Sequence, residues 1–209
     1  MTRSNVSGYV LAGGKSSRMG QDKALLELAQ RPLVCHAVSK LHTVCADIHI
    51  VSSRSELEAF APLIPDLHPG CGPLGGLEAA LLHATKEWCL LLAVDMPFIP
   101  ACLLSDWVQE IVADPVARVA LFTVDGVPQP TLSMVHRECT FTVQKAMEAR
   151  EYKLFPVLEG AGRELAARAG LAFEAVFVNR TDVDGAWFAN LNTPEEFSAA
   201  VRDWDAGSR

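Results

Sequence analysis

At 209 residues, half of them hydrophobic, the chain is long enough to bury one full core, or two small ones. Its formal net charge of −7 excludes a surface specialised for nucleic acid, which would need a basic patch. The N-terminus, Met1-Thr2-Arg3-Ser4-Asn5, lacks an apolar segment of signal-peptide length, and the longest apolar run, Trp88 to Val94, has strand rather than membrane-spanning length, so a cytoplasmic chain with reduced thiols is expected.

Ser7–Ala12 is the first strand candidate, and Gly13-Gly14-Lys15-Ser16-Ser17-Arg18-Met19-Gly20-Gln21-Asp22-Lys23 follows it directly. Adjacent glycines let backbone N–H groups approach a phosphate closely, because no Cβ intervenes and positive φ is allowed. Lys15, Arg18 and Lys23 put three cations within ten residues of those glycines, with Lys15 the weakest candidate for a phosphate contact. On an acidic chain this local positive charge suits a small anionic ligand; the alternative is a glycine turn in a solvated basic loop. A Walker A motif is excluded, since its opening glycine would fall at Tyr9.

Pro32 opens a segment in which Leu33, Ala37, Val38 and Leu41 recur at helical spacing. Asp47–Ser52 reads as a strand, Ser55–Leu63 as a helix with Ser55 as N-cap, and Leu74–Ala84 as another helix. Gly70-Cys71-Gly72-Pro73-Leu74-Gly75 matches the dinucleotide G-x-G-x-x-G pattern, but Pro65 and Pro69 spoil the lead-in strand and Pro73 interrupts the turn. Trp88–Val94 has the continuous apolar character of a strand covered on both faces. This alternation predicts an α/β fold, a three-layer Rossmann-like, mostly parallel sheet with helices on both faces.

Beyond about residue 113 the rhythm loosens. Val119–Val124 and Thr131–Val135 read as strands around the turn Asp125-Gly126-Val127-Pro128, Glu138–Ala149 and Arg163–Ala169 as helices, and Phe173–Val178 as a strand. Thr193-Pro194-Glu195-Glu196 has the cap, first-turn proline and early acids of a last helix, with Asp205 to Arg209 as a loose tail. Six cysteines lie far apart with no C-x-x-C pair, and most of them stand in apolar stretches and read as small core residues rather than zinc or redox ligands. The six histidines show no ligand spacing with acids and read as surface or core residues.

Ligands of open α/β sheets bind outside the carboxyl ends of the strands, so the first glycine loop and Asp95, which follows the Trp88–Val94 strand, are expected at one edge. There Asp95 either holds Mg²⁺, a hard cation that takes oxygen ligands and phosphate oxygens, or caps the turn or the next helix.

The segment Leu11-Ala12-Gly13-Gly14-Lys15-Ser16-Ser17-Arg18-Met19-Gly20-Gln21-Asp22-Lys23 resembles the signature of the nucleotidyltransferases that activate molybdopterin. Gly72-Pro73-Leu74-Gly75-Gly76-Leu77 resembles that family's second glycine loop, Asp95-Met96-Pro97-Phe98 its metal-binding turn, Pro130-Thr131 a substrate-side element, and Asn190-Leu191-Asn192-Thr193-Pro194-Glu195-Glu196 its C-terminal motif. The pieces fall in family order from residue 10 to residue 196. Gly13-Gly14 is similar to the guanylyl-transferring members, whereas cytidylyl relatives tend to have alanine-glycine there.

The resemblance implies a nucleotide-diphospho-sugar-transferase-like fold and one nucleotidyltransferase domain over 1–209, with a nucleotide-binding half at about 1–113 and an acceptor half at about 114–204. It implies transfer of GMP from GTP to the terminal phosphate of a molybdopterin-type cofactor, with release of pyrophosphate. Backbone groups of Leu11, Ala12 and Gly13 would cradle the nucleotide, Arg18 and Lys23 would neutralise its phosphates, and Mg²⁺ on Asp95 would bridge attacking and leaving oxygens. Asp66 would accept the N1–H and N2–H₂ donors of guanine, or it forms an Asx-turn. Asn190 and Asn192, two apart on an extended segment, would face a pterin or its phosphate, or Asn192 or Thr193 caps the last helix. Molybdoenzymes or their chaperones are implied as further partners. Where family members often carry an asparagine after the second strand, this chain reads Ile50-Val51-Ser52-Ser53-Arg54, so Ser52 or Ser53 would have to substitute. The same loop and aspartate would also fit a cytidylyl or sugar-1-phosphate nucleotidyltransferase, or a nucleotide-binding protein that keeps the fold without catalysis.

Overall fold

The fold, seen in a computed structural model that describes residues 5–13 and 22–205, is built on a seven-stranded sheet. Its strands are β1 (Val6–Leu11), β4 (Asp47–Val51), β5 (Leu63–Ile64), β6 (Trp88–Ala93), β7 (Val119–Val124), β8 (Val127–His136) and β9 (Phe177–Arg180), in the order β5-β4-β1-β6-β8-β7-β9. The left half is parallel throughout; β8 runs antiparallel to both β6 and β7, and β9 is parallel to β7. A separate two-stranded ribbon pairs β2 (Glu27–Leu28) with β3 (Arg31–Pro32).

Continuous apolar runs form these strands because both faces of the sheet are covered. Val6 and Val10 of β1, Leu90 and Leu92 of β6, and Ala120 and Phe122 of β7 point into one core, packed by α1 (Leu33–Leu41), α3 (Ala101–Ala113) and α7 (Pro194–Asp205). The intervening residues, Tyr9 and Leu11, Cys89 and Leu91, Val119 and Leu121, point into a second core under α2 (Pro73–His83), α4 (Thr140–Glu148) and α5 (Leu154–Ala169). A period of two therefore persists without polar residues to mark it. The expected three-layer α/β architecture is the one observed. Among the described residues no helix is long and apolar enough to cross a membrane.

Three expectations need correction, and one helix was not expected. Ser55–Leu63 is not a helix: a 3-10 turn covers Ser55–Ala59, with Arg54 rather than Ser55 at the cap position, and Leu63–Ile64 is strand β5. Pro62 disfavours helix at Ala61, and the β4 edge captures the backbone beyond it, Ile50 N donating to Pro62 O at 2.9 Å and Ser52 N to Ile64 O at 3.1 Å. Phe173–Val178 is a helical turn, α6 (Phe173–Val176), leading into β9; Phe173 and Phe177 stack at 5.0 Å, an i,i+4 pair. The helix expected at Arg163–Ala169 begins nine residues earlier, at Leu154. Helix α3 was legible in the buried spacing Leu104, Trp107, Val108, Ile111, although the sequence reading places no helix there.

Of the six free cysteines, Cys45, Cys89 and Cys139 are core residues, Cys35 and Cys71 are half-buried and Cys102 is exposed. Leu90 lies fully buried in central strand β6, between β1 and β8. Leu90→Ala should cost about 2–5 kcal/mol, read as a lower urea midpoint with an unchanged slope. A loss below about 1 kcal/mol would show that this face of the sheet is loosely packed.

Candidate active site

Strands β1, β4 and β6 run parallel and end together at Leu11, Val51 and Ala93, and a cavity of about 590 Å³ opens at that edge. The strand ends are tied to one another: Ala12 N donates to Val51 O at 3.4 Å, and Val94 N to Leu11 O at 3.2 Å. Helix α2 approaches this edge so closely that a Cβ on Gly76 would lie 2.8 Å from Leu11 Cδ2, and one on Gly75 2.9 Å from Asp66 Oδ1. The second glycine loop thus lets a helix pack against the end of β1. Its chance match to a dinucleotide fingerprint has no further role.

Lys23 is the pivot of the site. Asp22 caps the 3-10 turn Lys23–Leu25, its Oδ1 accepting from Ala24 N at 2.9 Å. From that turn Lys23 Nζ donates to Asp95 Oδ2 and to Asn192 Oδ1, each at 2.9 Å. An ammonium only donates, so it fixes which end of the Asn192 amide faces it. The Lys23 and Asp95 side chains are only 16% and 20% exposed, so solvent screens their attraction less than at an open surface.

Both partners are held from behind. The Asp95 carbonyl accepts from Leu191 N at 3.1 Å, and Lys40 Nζ donates to Pro97 O at 2.5 Å, which anchors the Asp95-Met96-Pro97-Phe98 turn. Helix α3 starts at Ala101 with Pro100 at the cap position, so Asp95 is not that helix's cap. Asn192 is set by a reciprocal capping box. Glu196 accepts from the backbone N–H of Asn192 (2.6 Å) and Thr193 (2.9 Å), while Thr193 Oγ1 accepts from Glu196 N at 3.2 Å. Thr193 therefore caps α7, and the Asn192 side chain is left for the site.

Of the other expected residues, Leu11, Ala12, Gly13, Asp66 and Asn190 all line the cavity, as do Lys23, Asp95, Asn192 and Thr131. The Ala12 N–H and C=O are both committed within the protein, to Val51 and Arg54, while Gly13 is exposed. Asp66 makes the Asx-turn, Oδ1 accepting from His68 N at 3.0 Å, and also lines the cavity. Arg18, Lys15 and Gly14 lie outside the described residues. Arg54 also lines the cavity and was not among the expected residues. The buried Ser52 hydroxyl accepts from Arg54 N and Nε at 3.2 and 3.4 Å.

Among the described residues no group of three or more His, Cys, Asp or Glu side chains is placed to hold a metal ion. Asp95 is a single carboxylate at the cavity wall. That donor set fits Mg²⁺ in its usual mode with nucleotides, one or two protein carboxylates completed by phosphate oxygens and water.

The chain from residue 8 to residue 177 matches the family model described as a MobA-like NTP transferase domain. A molybdenum cofactor guanylyltransferase of Serratia proteamaculans is 31% identical over 91% of this chain and 91% of its own. Another, of Vibrio cholerae, is 31% identical over 93% of this chain and 91% of its own. Among solved structures, the molybdopterin-guanine dinucleotide biosynthesis protein A of Archaeoglobus fulgidus superposes with a TM-score of 0.72 at 23% identity, covering 96% of this chain and 99% of that one. A CMP:2-keto-3-deoxy-manno-octonic acid synthetase complexed with CTP shares the fold at a TM-score of 0.67 and 14% identity, covering 99% of this chain and all of that one.

Two tests address the supports behind the pivot. Glu196→Ala should cost about 1 kcal/mol and speed hydrogen exchange at the Asn192 and Thr193 amides, which both donate to that carboxylate; unchanged exchange would mean the box does not hold this segment. Burial, reinforced by Arg31, pushes the Lys40 ammonium down to about 8. A depressed lysine favours folding fully above its unfolded value near 10.5, and that contribution is lost as pH falls through 8. Measured by urea midpoints, the parent should therefore gain stability over Lys40→Met as pH rises from 8 to 10.5. A constant difference across that range would contradict the burial of the amine.

Proposed function

Since the chain belongs to the MobA-like NTP transferase family and is a nucleotidyltransferase, we propose that it transfers GMP from GTP to the terminal phosphate of a molybdopterin-type cofactor. The observation that carries this reading is the meeting of Lys23, Asp95 and Asn192 at one ammonium, in a cavity with Asp66 on its wall.

In this reading an oxygen of the acceptor phosphate attacks the α-phosphorus of GTP, the bond from that phosphorus to the β-phosphate bridge breaks, and pyrophosphate leaves. The attacking phosphate monoester is already anionic, so no strong general base is required. The site has to align the two anions and neutralise charge as it develops. Gly13 offers exposed backbone to the phosphates, and the strand-end bonds of Leu11 and Ala12 hold it in place. Lys23 would face the α-phosphate, already oriented by Asp95 and Asn192, so that little reorganisation accompanies the reaction. Arg18, from the same signature, adds charge neutralisation. Mg²⁺, held by Asp95, would neutralise the phosphate oxygens around the reacting phosphorus. Asn190 and Asn192 present amides to the pterin or its phosphate, and Thr131 lines the same side.

For the base, Asp66 would accept both guanine donors, a pairing that neither cytosine nor adenine offers. Losing a charge-assisted hydrogen bond of this kind costs roughly tenfold or more in affinity. GTP should therefore bind at least about tenfold more tightly than CTP, ATP or UTP in isothermal titration, with Asp66→Asn weakening GTP selectively. Lys23→Ala should lower the rate of pyrophosphate release measured with GTP and molybdopterin cofactor. CTP or ATP binding as tightly as GTP would remove the guanylyl assignment, and full turnover in Lys23→Ala would remove Lys23 from the chemistry.

A further inference from the structure

Arg54 joins two residues that lie ten positions apart in the chain. Its Nη2 donates to the carbonyl oxygen of Ala12, at the end of β1, and its Nη1 pairs with Asp22 Oδ1, just before the Lys23 turn. Its Nε and backbone N–H are held in turn by the Ser52 hydroxyl, which is buried at the end of β4. The guanidinium is 28% exposed and the Asp22 side chain 19%, so these contacts are half-sheltered. Three of its donors are therefore spent on three different segments, in the fixed plane that only arginine provides.

We propose that Arg54 is a positioning residue for nucleotide binding, setting the distance between the end of β1 and the turn that carries Lys23. The path is short. Asp22 Oδ1, the oxygen that Arg54 engages, also accepts from Ala24 N and so fixes the 3-10 turn from which the Lys23 ammonium reaches Asp95 and Asn192. On the other side, the Ala12 carbonyl held by Arg54 belongs to the residue next to Gly13. With the guanidinium removed, Lys23 and Gly13 are no longer held in register with one another, although neither has changed. Ser52 gains a role on the same reasoning: its buried hydroxyl orients Arg54.

This inference rests on the reading of the cavity as a nucleotide site, and the test separates the two. GTP is titrated against the parent, Arg54→Ala, Arg54→Lys, Asp22→Asn and the Arg54→Ala/Asp22→Asn double variant. Asp22→Asn keeps the amide oxygen that caps Ala24 and removes only the charge that pairs with Arg54. Arg54→Ala and Asp22→Asn should each weaken GTP by about tenfold, the double variant should be no worse than Arg54→Ala, and Arg54→Lys should recover only part of the loss. Turnover should follow the same split, with a raised KM for GTP and a lowered kcat for Arg54→Ala, measured at a temperature where the variant is folded. If Arg54 instead met the phosphates directly, Asp22→Asn would leave GTP affinity unchanged or improve it, and that result overturns the proposal.

A second readout needs no ligand. Amide exchange at Ala24 and Leu25 should be faster in Arg54→Ala than in the parent, and equal exchange overturns the proposal whatever the nucleotide data show. A parent protein that binds no GTP while Arg54→Ala loosens Ala24 and Leu25 would overturn both the nucleotide reading and a positioning role that serves it, leaving only a structural tie. A parent that binds GTP with variants that match it would overturn the positioning role alone.

Discussion

One ammonium group, Lys23 Nζ, is held between a carboxylate and a carboxamide that lie 72 and 169 positions away along the chain. Everything else at the sheet edge serves to let those three side chains meet. Asp95 arrives at the end of β6, Asn192 on the strap before α7, and Lys23 on a capped turn after the segment that follows β1. A cation already paired and half-shielded from water is pre-oriented, which is what a site for phosphate chemistry needs, because donors that must reorganise during reaction lose most of their benefit.

That meeting depends on the sheet. Parallel pairing of β4, β1 and β6 puts three carboxyl ends side by side, and the two cores lock the sheet between helical layers so that its edge cannot slide. The antiparallel β8 then carries Thr131 to the cavity on the far side of β6. Lys23 from the first half of the chain and Asn192 from the second consequently share a hydrogen bond.

Much of this was legible in the sequence because the signals were local. Two glycines after an apolar strand, an aspartate at the end of the next buried strand, and a Thr-Pro-Glu-Glu helix start each carry their own physical reason, and each lies where those reasons put it when it falls within the described residues. The missed helix α3 carried a local signal of its own in Leu104, Trp107, Val108 and Ile111, but other misreadings turn on contacts that the local pattern does not show. Nothing in Ser55–Leu63 shows that the edge of β4 will take the backbone of Pro62 and Ile64, and nothing in Phe173–Val178 shows that Phe173 will stack on Phe177 in a helical turn before the strand begins. Arg54 was hidden for the same reason. Its partners, Ala12 and Asp22, are 42 and 32 positions away, and an arginine after two serines reads locally as an ordinary loop cation.

If these groups surround an α-phosphorus, as proposed, the nucleotide is cleaved between its α- and β-phosphates and the GMP portion is kept. The test is to follow the label from GTP marked separately at the α- and γ-phosphates, in the presence of molybdopterin cofactor and Mg²⁺. The α-label should be recovered in the cofactor and the γ-label only in pyrophosphate. Release of γ-label as orthophosphate, or an unlabelled cofactor after GTP has been consumed, would contradict it.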